Sequence, residues 1–106
     1  DPTSYVSAPL KVGGFFSNNY YFYGLIDEFA IWNATLSGDD ANAIYNSGVC
    51  NDLSEASSYD TDRTSNLIGW WRMGDNDGGT GTTITDQGNG GNNGTLDGPT
   101  FSTNVP

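Results

Sequence analysis

One acidic residue stands inside an apolar, strand-like run and is the first candidate for chemistry. Within residues 20–44, alternation at period two places Asp27 on one face with Leu25, Phe29 and Ile31. A carboxylate among apolar neighbours is costly unless it is paired, hydrogen-bonded or bound to a metal. Because the chain has only three basic residues, a bound cation and a set of backbone amides are the two alternatives for its partner.

The residues that most enzymes use are poorly represented. The chain has no histidine, which excludes Ser-His-Asp, Cys-His and histidine-metal arrangements. Paired carboxylates could hydrolyse glycosides, but adjacent Asp27 and Glu28 should point to opposite faces of a strand. Cys50 is the single cysteine, so no intrachain disulfide forms, and no base near it in the sequence would activate the thiol. We therefore expect no enzymatic activity.

Composition narrows the class of protein and of partner. Thirteen acidic residues against three basic ones give a net charge of −10, which argues against nucleic acid or an anionic membrane surface as a partner. No apolar run is long enough to insert across a membrane. A length of 106 residues suits one domain. Many glycines, asparagines and aromatic residues indicate an all-β protein with tight turns.

The first half of the chain contains most of the predicted regular structure. Residues 1–9 read as an extended arm, because they combine proline with small polar residues, and the chain begins with Asp1 instead of methionine, as expected of a processed product or part of a longer chain. Strands are predicted at residues 10–12 and around Asp27, with a loop at 17–19.

A short helix should follow this strand. Ser37 is a plausible N-cap, Asp39 and Asp40 fall in the first turn, and Gly48 is placed to end the helix. Its predicted packing stripe consists of Ala41, Ile44 and Tyr45.

The second half begins after a polar, acidic stretch without periodicity at residues 49–66, which we interpret as a linker. Strands are predicted at residues 67–73, 82–85, 94–96 and 100–103, separated by glycine-rich and asparagine-rich loops at 74–81 and 87–93. In the first of these strands Trp70 and Trp71 are expected to pack in the protein core.

Two stretches resemble parts of a known family. The run GLIDEFAIWNATLS, with the helix ending IYNSG, resembles the closing signature of laminin-G-like, concanavalin A-like jelly rolls. The runs LIGWWRMGD and GTTITDQGNGGNNGTL resemble the opening signature of the same family. WWRMGD and the TFSTNVP tail are also similar to repeat modules of marine phage structural proteins. The resemblance implies an all-β, antiparallel β-sandwich with one short helix.

The order of these signatures is reversed, since the closing half (residues 10–48) precedes the opening half (residues 67–106). The sandwich is therefore rearranged or partial. A tandem array cut between repeats, a circular permutation, and a protomer completed by strands of a neighbour all fit this order. The family's first and last strands lie side by side, so the two halves are expected to pair within one chain. Exposed edges would then invite strand addition by another copy.

The resemblance also implies a calcium site. In the family, the acid of the I-D-E strand supplies a carboxylate, and oxygens of the opening segment and its glycine-asparagine loop complete the shell. Transferred by motif, the ligands are Asp27, Asp86, Asn89 and Asn92.

Other surface roles follow from single residues. Trp32, Tyr21 and Tyr23 could stack on a sugar or contact a partner. Asn33 and Asn93 match the N-glycosylation pattern, although the Asn93-Gly94 pair is more simply a tight turn.

These observations lead to two alternative functions. The first is a non-enzymatic structural module of an extracellular or virion assembly that associates with copies of itself by strand pairing and is stabilised by calcium. The second is a calcium-dependent carbohydrate-binding adhesion module.

Overall fold

The computed structural model describes residues 10–14 and 21–103. The predicted arm at 1–9 and the predicted loop at 17–19 lie outside the described residues. In chain order the structure contains β1 (Phe29–Trp32), α1 (Gly38–Tyr45), β2 (Leu67–Trp71), β3 (Thr83–Ile84) and β4 (Gly94–Thr95). Three 3-10 turns occupy Asn46–Gly48, Ala56–Ser58 and Thr64–Asn66. The strands form two antiparallel two-stranded sheets, β1–β2 and β3–β4. Small antiparallel sheets with one short helix are thus confirmed among these residues.

The two halves of the chain meet in the β1–β2 sheet. Phe29 pairs with Trp71, Ala30 with Trp70, and the register shifts after Ile31. The backbone N–H of Asn33 extends the pairing by donating to the carbonyl of residue 66 over 3.0 Å. The expectation that the closing and opening halves pair within one chain is therefore confirmed.

Helix α1 begins where the sequence predicts. Ser37 Oγ accepts a hydrogen bond from the Asp40 N–H (3.0 Å), and the Asp40 carboxylate accepts one from the Ser37 N–H (3.2 Å). This reciprocal capping box satisfies two N–H groups that the first turn leaves without helical partners. The predicted end at Gly48 is wrong, because Asn46 (φ 45°) and Ser47 (φ 55°) already adopt the left-handed conformation.

The predicted stripe on α1 packs only in part. Ile44 contacts the core, whereas Ala41 and Tyr45 are exposed. Asp40 is a second anchor of this helix, because its fully buried carboxylate accepts a hydrogen bond from the Thr61 N–H (2.8 Å).

The core gathers residues from β1, α1, β2 and the segment at 49–66. Its buried members are Leu53, Tyr59, Leu67 and Trp70, with partly buried Ala30, Trp32 and Ile44 packed against them. Residues 49–66, interpreted as a linker, thus contribute Leu53 and Tyr59 to the core. The Tyr59 hydroxyl donates to the Leu53 carbonyl (2.7 Å) and accepts from Trp32 Nε1 (3.2 Å), which fixes this aperiodic segment against the sheet.

Several predicted strands are shorter or absent. No strand forms at residues 10–12 or 100–103, and β2 ends at Trp71 because Met73 (φ 51°) leaves the extended region. The predicted turn at Asn93-Gly94 is also wrong, since Gly94 opens β4 and the turn falls at residues 89–90. None of the helices in the described part of the chain has the length and apolar character needed to cross a membrane.

Candidate functional site

Asp27 lies just before β1, outside the strand. Glu28 has a φ of 52°, which interrupts the extended backbone, so Asp27 does not continue the row of Phe29 and Ile31. The predicted core-facing position is therefore wrong. Asp27 is half-buried, and its Oδ1 accepts a hydrogen bond from the adjacent Glu28 N–H (3.0 Å). Burial raises the pKa of the Asp27 carboxyl, and the charge of Glu28 raises it further.

Asp86 is a buried carboxylate whose oxygens accept hydrogen bonds from the backbone. Its Oδ1 accepts hydrogen bonds from the N–H groups of Trp70 (2.9 Å) and Gly88 (2.8 Å), and its Oδ2 accepts one from Asn92 (2.9 Å). Only 7% of the residue is exposed. The backbone-amide partners considered for Asp27 are thus found at Asp86, where they satisfy a buried carboxylate.

The four predicted calcium ligands are only partly brought together. Asp86 and Asn92 meet through a backbone N–H, and Asn89 donates its Nδ2 to the Thr64 carbonyl (2.9 Å). Asp27 precedes β1, whereas Asp86 bridges Trp71 from the opposite side of β2. Among the described residues, the hydrogen bond of Asp27 is to the adjacent Glu28, and none joins it to the other three.

Clusters of acidic, cysteine or histidine side chains are a common basis of metal sites. Within residues 10–14 and 21–103, no group of three or more such side chains could hold a metal ion. Calcium binding therefore remains a prediction from the sequence resemblance.

The loop after Asp86 covers the outer edge of β2. The N–H groups of Gln87, Asn89 and Gly90 donate to the carbonyls of residues 70, 67 and 68 over 2.8–2.9 Å. Gly88 is required here because a Cβ atom at this position would lie 2.7 Å from the backbone of Gly69. Glycine thus allows the loop to lie directly against the strand and occupy its hydrogen-bonding groups.

Among the described residues, no loop bonds to the outer edge of β1 in this way. Ala30 lies opposite Trp70, and the Trp70 N–H and carbonyl are bonded to the loop on the far side of β2. In an antiparallel ladder, opposite residues either bond to each other or both face away, so the Ala30 N–H and carbonyl point outward from β1. Within the part of the chain that the structure describes, no hydrogen bond engages them.

An open groove runs along β1. Its volume is about 520 Å³. Its wall includes Ala30, Trp32, Ile44, Tyr45, Val49 and Leu53, and its acidic end includes Asp27 and Glu28. Cys50 lies in the same lining with an exposed side chain. Local desolvation raises the pKa of its thiol, and the carboxylates of Glu28 and Asp27 add to this, so the thiolate form is disfavoured.

Glu28 forms hydrogen bonds with two residues that are distant in the sequence, and this role was not predicted. Its Oε2 accepts from Trp70 Nε1 (2.9 Å) and its Oε1 from Arg72 Nε (3.0 Å). Arg72 also donates to Asp75 (3.1 Å), and its guanidinium carbon lies 5.1 Å from the centre of the Trp70 ring. The scarcity of basic residues was the available signal, because each arginine in so acidic a chain is expected to engage carboxylates.

The predicted contact aromatics have different environments. Tyr21 and Tyr23 are exposed, as predicted for a surface role. Trp32 is half-buried, and its Nε1 is engaged by Tyr59, against which its ring packs edge-on with centroids 6.5 Å apart. Trp70 is 1% exposed, which confirms its expected place in the core.

Both predicted glycosylation residues are exposed but hydrogen-bonded. Asn33 Oδ1 accepts from Asn66 Nδ2 (3.0 Å), and Asn93 Oδ1 accepts from the Asp86 N–H (3.0 Å). Each side chain therefore has a structural contact of its own, and glycosylation remains a prediction.

Comparison of the chain with protein-family models, with curated proteins and with solved structures gives no match in any of the three. The likeness to laminin-G-like domains accordingly rests on the sequence motifs alone. The geometry of β1 and its groove is the structural basis for a proposed function.

Proposed function

We propose that this chain is a non-enzymatic structural module of an extracellular or virion assembly, in which copies associate by pairing β-strands. One observation carries the proposal: within the described residues, the outward N–H and carbonyl of Ala30 on β1 are unpartnered beside an open apolar groove. Unpaired backbone groups along a strand edge are a template for a strand of another chain.

The contrast between β1 and β2 strengthens this reasoning. The edge of β2 is covered by a loop that needs glycine at residue 88 in order to approach. β1, with the sequence FAIW, has neither the lysine nor the proline that natural edge strands use against unwanted pairing. Among the described residues nothing covers this edge, which is typical of a strand that receives a partner.

The proposed assembly is a rearranged or partial laminin-G-like sandwich whose missing strands are supplied by neighbouring copies. In this arrangement the two-stranded β1–β2 sheet gains strands on the β1 side only. Sheets of three or more strands are stable where an isolated pair is marginal, so assembly and folding stability support each other.

Calcium enters the proposal from the sequence resemblance. If calcium stabilises the module, millimolar calcium should raise the melting temperature and a chelator should reverse the rise, with magnesium as the matched control ion. An unchanged melting temperature would remove calcium from the proposal and leave strand pairing intact.

A calcium-dependent carbohydrate-binding adhesion module is the second candidate. Tyr23 is 95% exposed, and Tyr45 is exposed beside the groove that Trp32 lines. Exposed aromatic faces of this kind stack on sugar rings.

Light scattering coupled to size-exclusion chromatography, with and without a chelator, separates the two functions. Assemblies that form without added sugar support the structural module, while a monomer retained on a polysaccharide resin supports the adhesion module. A monomer indifferent to sugar and chelator would rule out both.

A further inference from the structure

We propose that the copies join head to tail, with the groove along β1 of one copy receiving residues 21–26 of the next copy as an added strand. This inference rests on the proposed function and specifies its donor and acceptor surfaces. We call residues 21–26 the donor segment and the groove along β1 the acceptor groove.

The charge and polarity of the acceptor groove limit which segment can bind in it. Its walls are mostly apolar, and its acidic end combines the half-buried Asp27 with Glu28, whose carboxylate is paired with Arg72. Every copy has a net charge of −10, so most surfaces of a second copy would be repelled there. A segment that enters should therefore be apolar and carry no acidic residue.

The donor segment meets this requirement. Its sequence, YFYGLI, contains no charged residue. Tyr21, Phe22 and Tyr23 are 54%, 59% and 95% exposed, and Leu25 and Ile26 are exposed as well. It contains no helix, so its backbone can add to a strand edge.

The donor segment's own backbone is already paired on one side. Tyr21 forms a β-bridge with Gly14, and the Phe22 N–H donates to the Gly13 carbonyl (2.9 Å). Among the described residues, no backbone hydrogen bond joins this segment to β1 of its own chain, so the strand that enters the groove is drawn from a different copy.

The exposed area fits a reversible contact. The three aromatic residues together expose about twice the surface of one aromatic side chain, or roughly 300–500 Å². A standard stable interface buries about 800 Å² on each partner. Leu25 and Ile26 add to the aromatic area, so a single contact lies toward the smaller end of specific interfaces. Assembly should therefore depend on protein concentration.

Donor and acceptor are different surfaces of the molecule, so the contact is heterologous. Such contacts propagate into open chains or close into rings, whereas a self-complementary interface stops at a dimer. Head-to-tail pairing therefore predicts that the donor segment and the acceptor groove can be blocked separately.

The test uses one variant for each end. The donor variant combines Tyr23→Asp with Leu25→Asp, and the acceptor variant combines Tyr45→Asp with Val49→Asp; all four residues are exposed. Each variant alone should be monomeric by light scattering at concentrations where the wild type forms multimers. An equimolar mixture should give a discrete dimer and nothing larger, because it contains one intact donor and one intact acceptor.

The matched control adds the same charge elsewhere. Thr80→Asp with Thr100→Asp places two new carboxylates at exposed positions outside both surfaces, and this variant should assemble like the wild type. Circular dichroism and melting temperatures equal to the wild-type values confirm that each variant is folded.

Failures of the two proposals are distinguishable. A wild-type chain that stays monomeric contradicts strand-mediated assembly itself. Wild-type multimers combined with a donor or acceptor variant that still assembles, or with a mixture that remains monomeric, overturn only the head-to-tail arrangement.

Discussion

Replacing Asp86 with alanine removes the acceptor of three backbone N–H groups, those of Trp70, Gly88 and Asn92. The hydrogen bond to Trp70 is buried, so its N–H would lose its partner outright, while the other two are part-buried and partly replaceable by water. Hydrogen bonds to charged groups contribute about 1.5–3 kcal/mol each. Because water can partly replace two of the three hydrogen bonds, we expect the free energy of unfolding to fall by about 3–5 kcal/mol.

The asparagine variant refines this prediction. Asp86→Asn keeps the shape of the side chain but replaces one accepting oxygen with an NH₂ group that faces a backbone N–H. One of the three hydrogen bonds should therefore be lost, for about 1–3 kcal/mol. Asp97→Asn is the control, because Asp97 is exposed and makes no hydrogen bond within the described residues.

Urea unfolding followed by tryptophan fluorescence measures these differences. The expected order of stability is wild type and Asp97→Asn, then Asp86→Asn, then Asp86→Ala, with an unchanged dependence on urea concentration. A domain of this size has a total stability of about 5–15 kcal/mol, so the alanine variant should be conspicuously weakened. If both Asp86 variants unfold within about 0.5 kcal/mol of the wild type, the role assigned to this carboxylate is refuted.

Three further predictions concern other parts of the fold. The hydrogen bond from the Thr61 N–H is the main cause that lowers the pKa of Asp40 from 3.8 to about 2. The ionised Asp40 carboxylate therefore stabilises the fold fully above pH 3.8, and this stabilisation is lost as the pH falls toward 2. The melting temperature of Asp40→Asn should vary less across that range than the wild-type melting temperature. Trp70→Phe keeps a buried ring but loses the 2.9 Å bond from the indole N–H to a carboxylate, which should cost about 1.5–3 kcal/mol in urea unfolding. Gly88→Ala should destabilise the fold by about 1–3 kcal/mol, because the added Cβ would meet the β2 backbone. Gly38→Ala should stabilise it by about 0.4–1 kcal/mol, because the added Cβ has nothing within 4 Å. Equal melting temperatures for these two variants would contradict this packing difference.

The features that the sequence predicted well depend on neighbouring residues. The capping box at Ser37 joins groups three residues apart, and such contacts form wherever the local pattern allows a helix to start. The apolar runs of β1 and β2 likewise indicated strands. The acidic, glycine-rich stretch after β2 is a series of turns as predicted.

The features that the sequence did not reveal depend on distant residues. The left-handed conformation of Glu28 coincides with its bonds to Trp70 and Arg72, which are 42 and 44 residues away. Period-two alternation assumes an uninterrupted strand, so the predicted position of Asp27 failed at this residue. The core roles of Leu53 and Tyr59 were missed for the same reason, because a segment without periodicity gives no local sign of what it packs against.

The sequence by itself determined the acidic charge, the absence of histidine chemistry, the start of α1 and the positions of the two main strands. Only the tertiary structure decided which N–H groups surround Asp86 and which strand edge is covered. The physical reason is that charge and local hydrogen bonds belong to residues adjacent in the chain, whereas covering an edge requires two distant backbones to approach within hydrogen-bonding distance. Asp86 and its loop achieve this on β2, and within the described residues the outward-facing groups of Ala30 on β1 have no such cover.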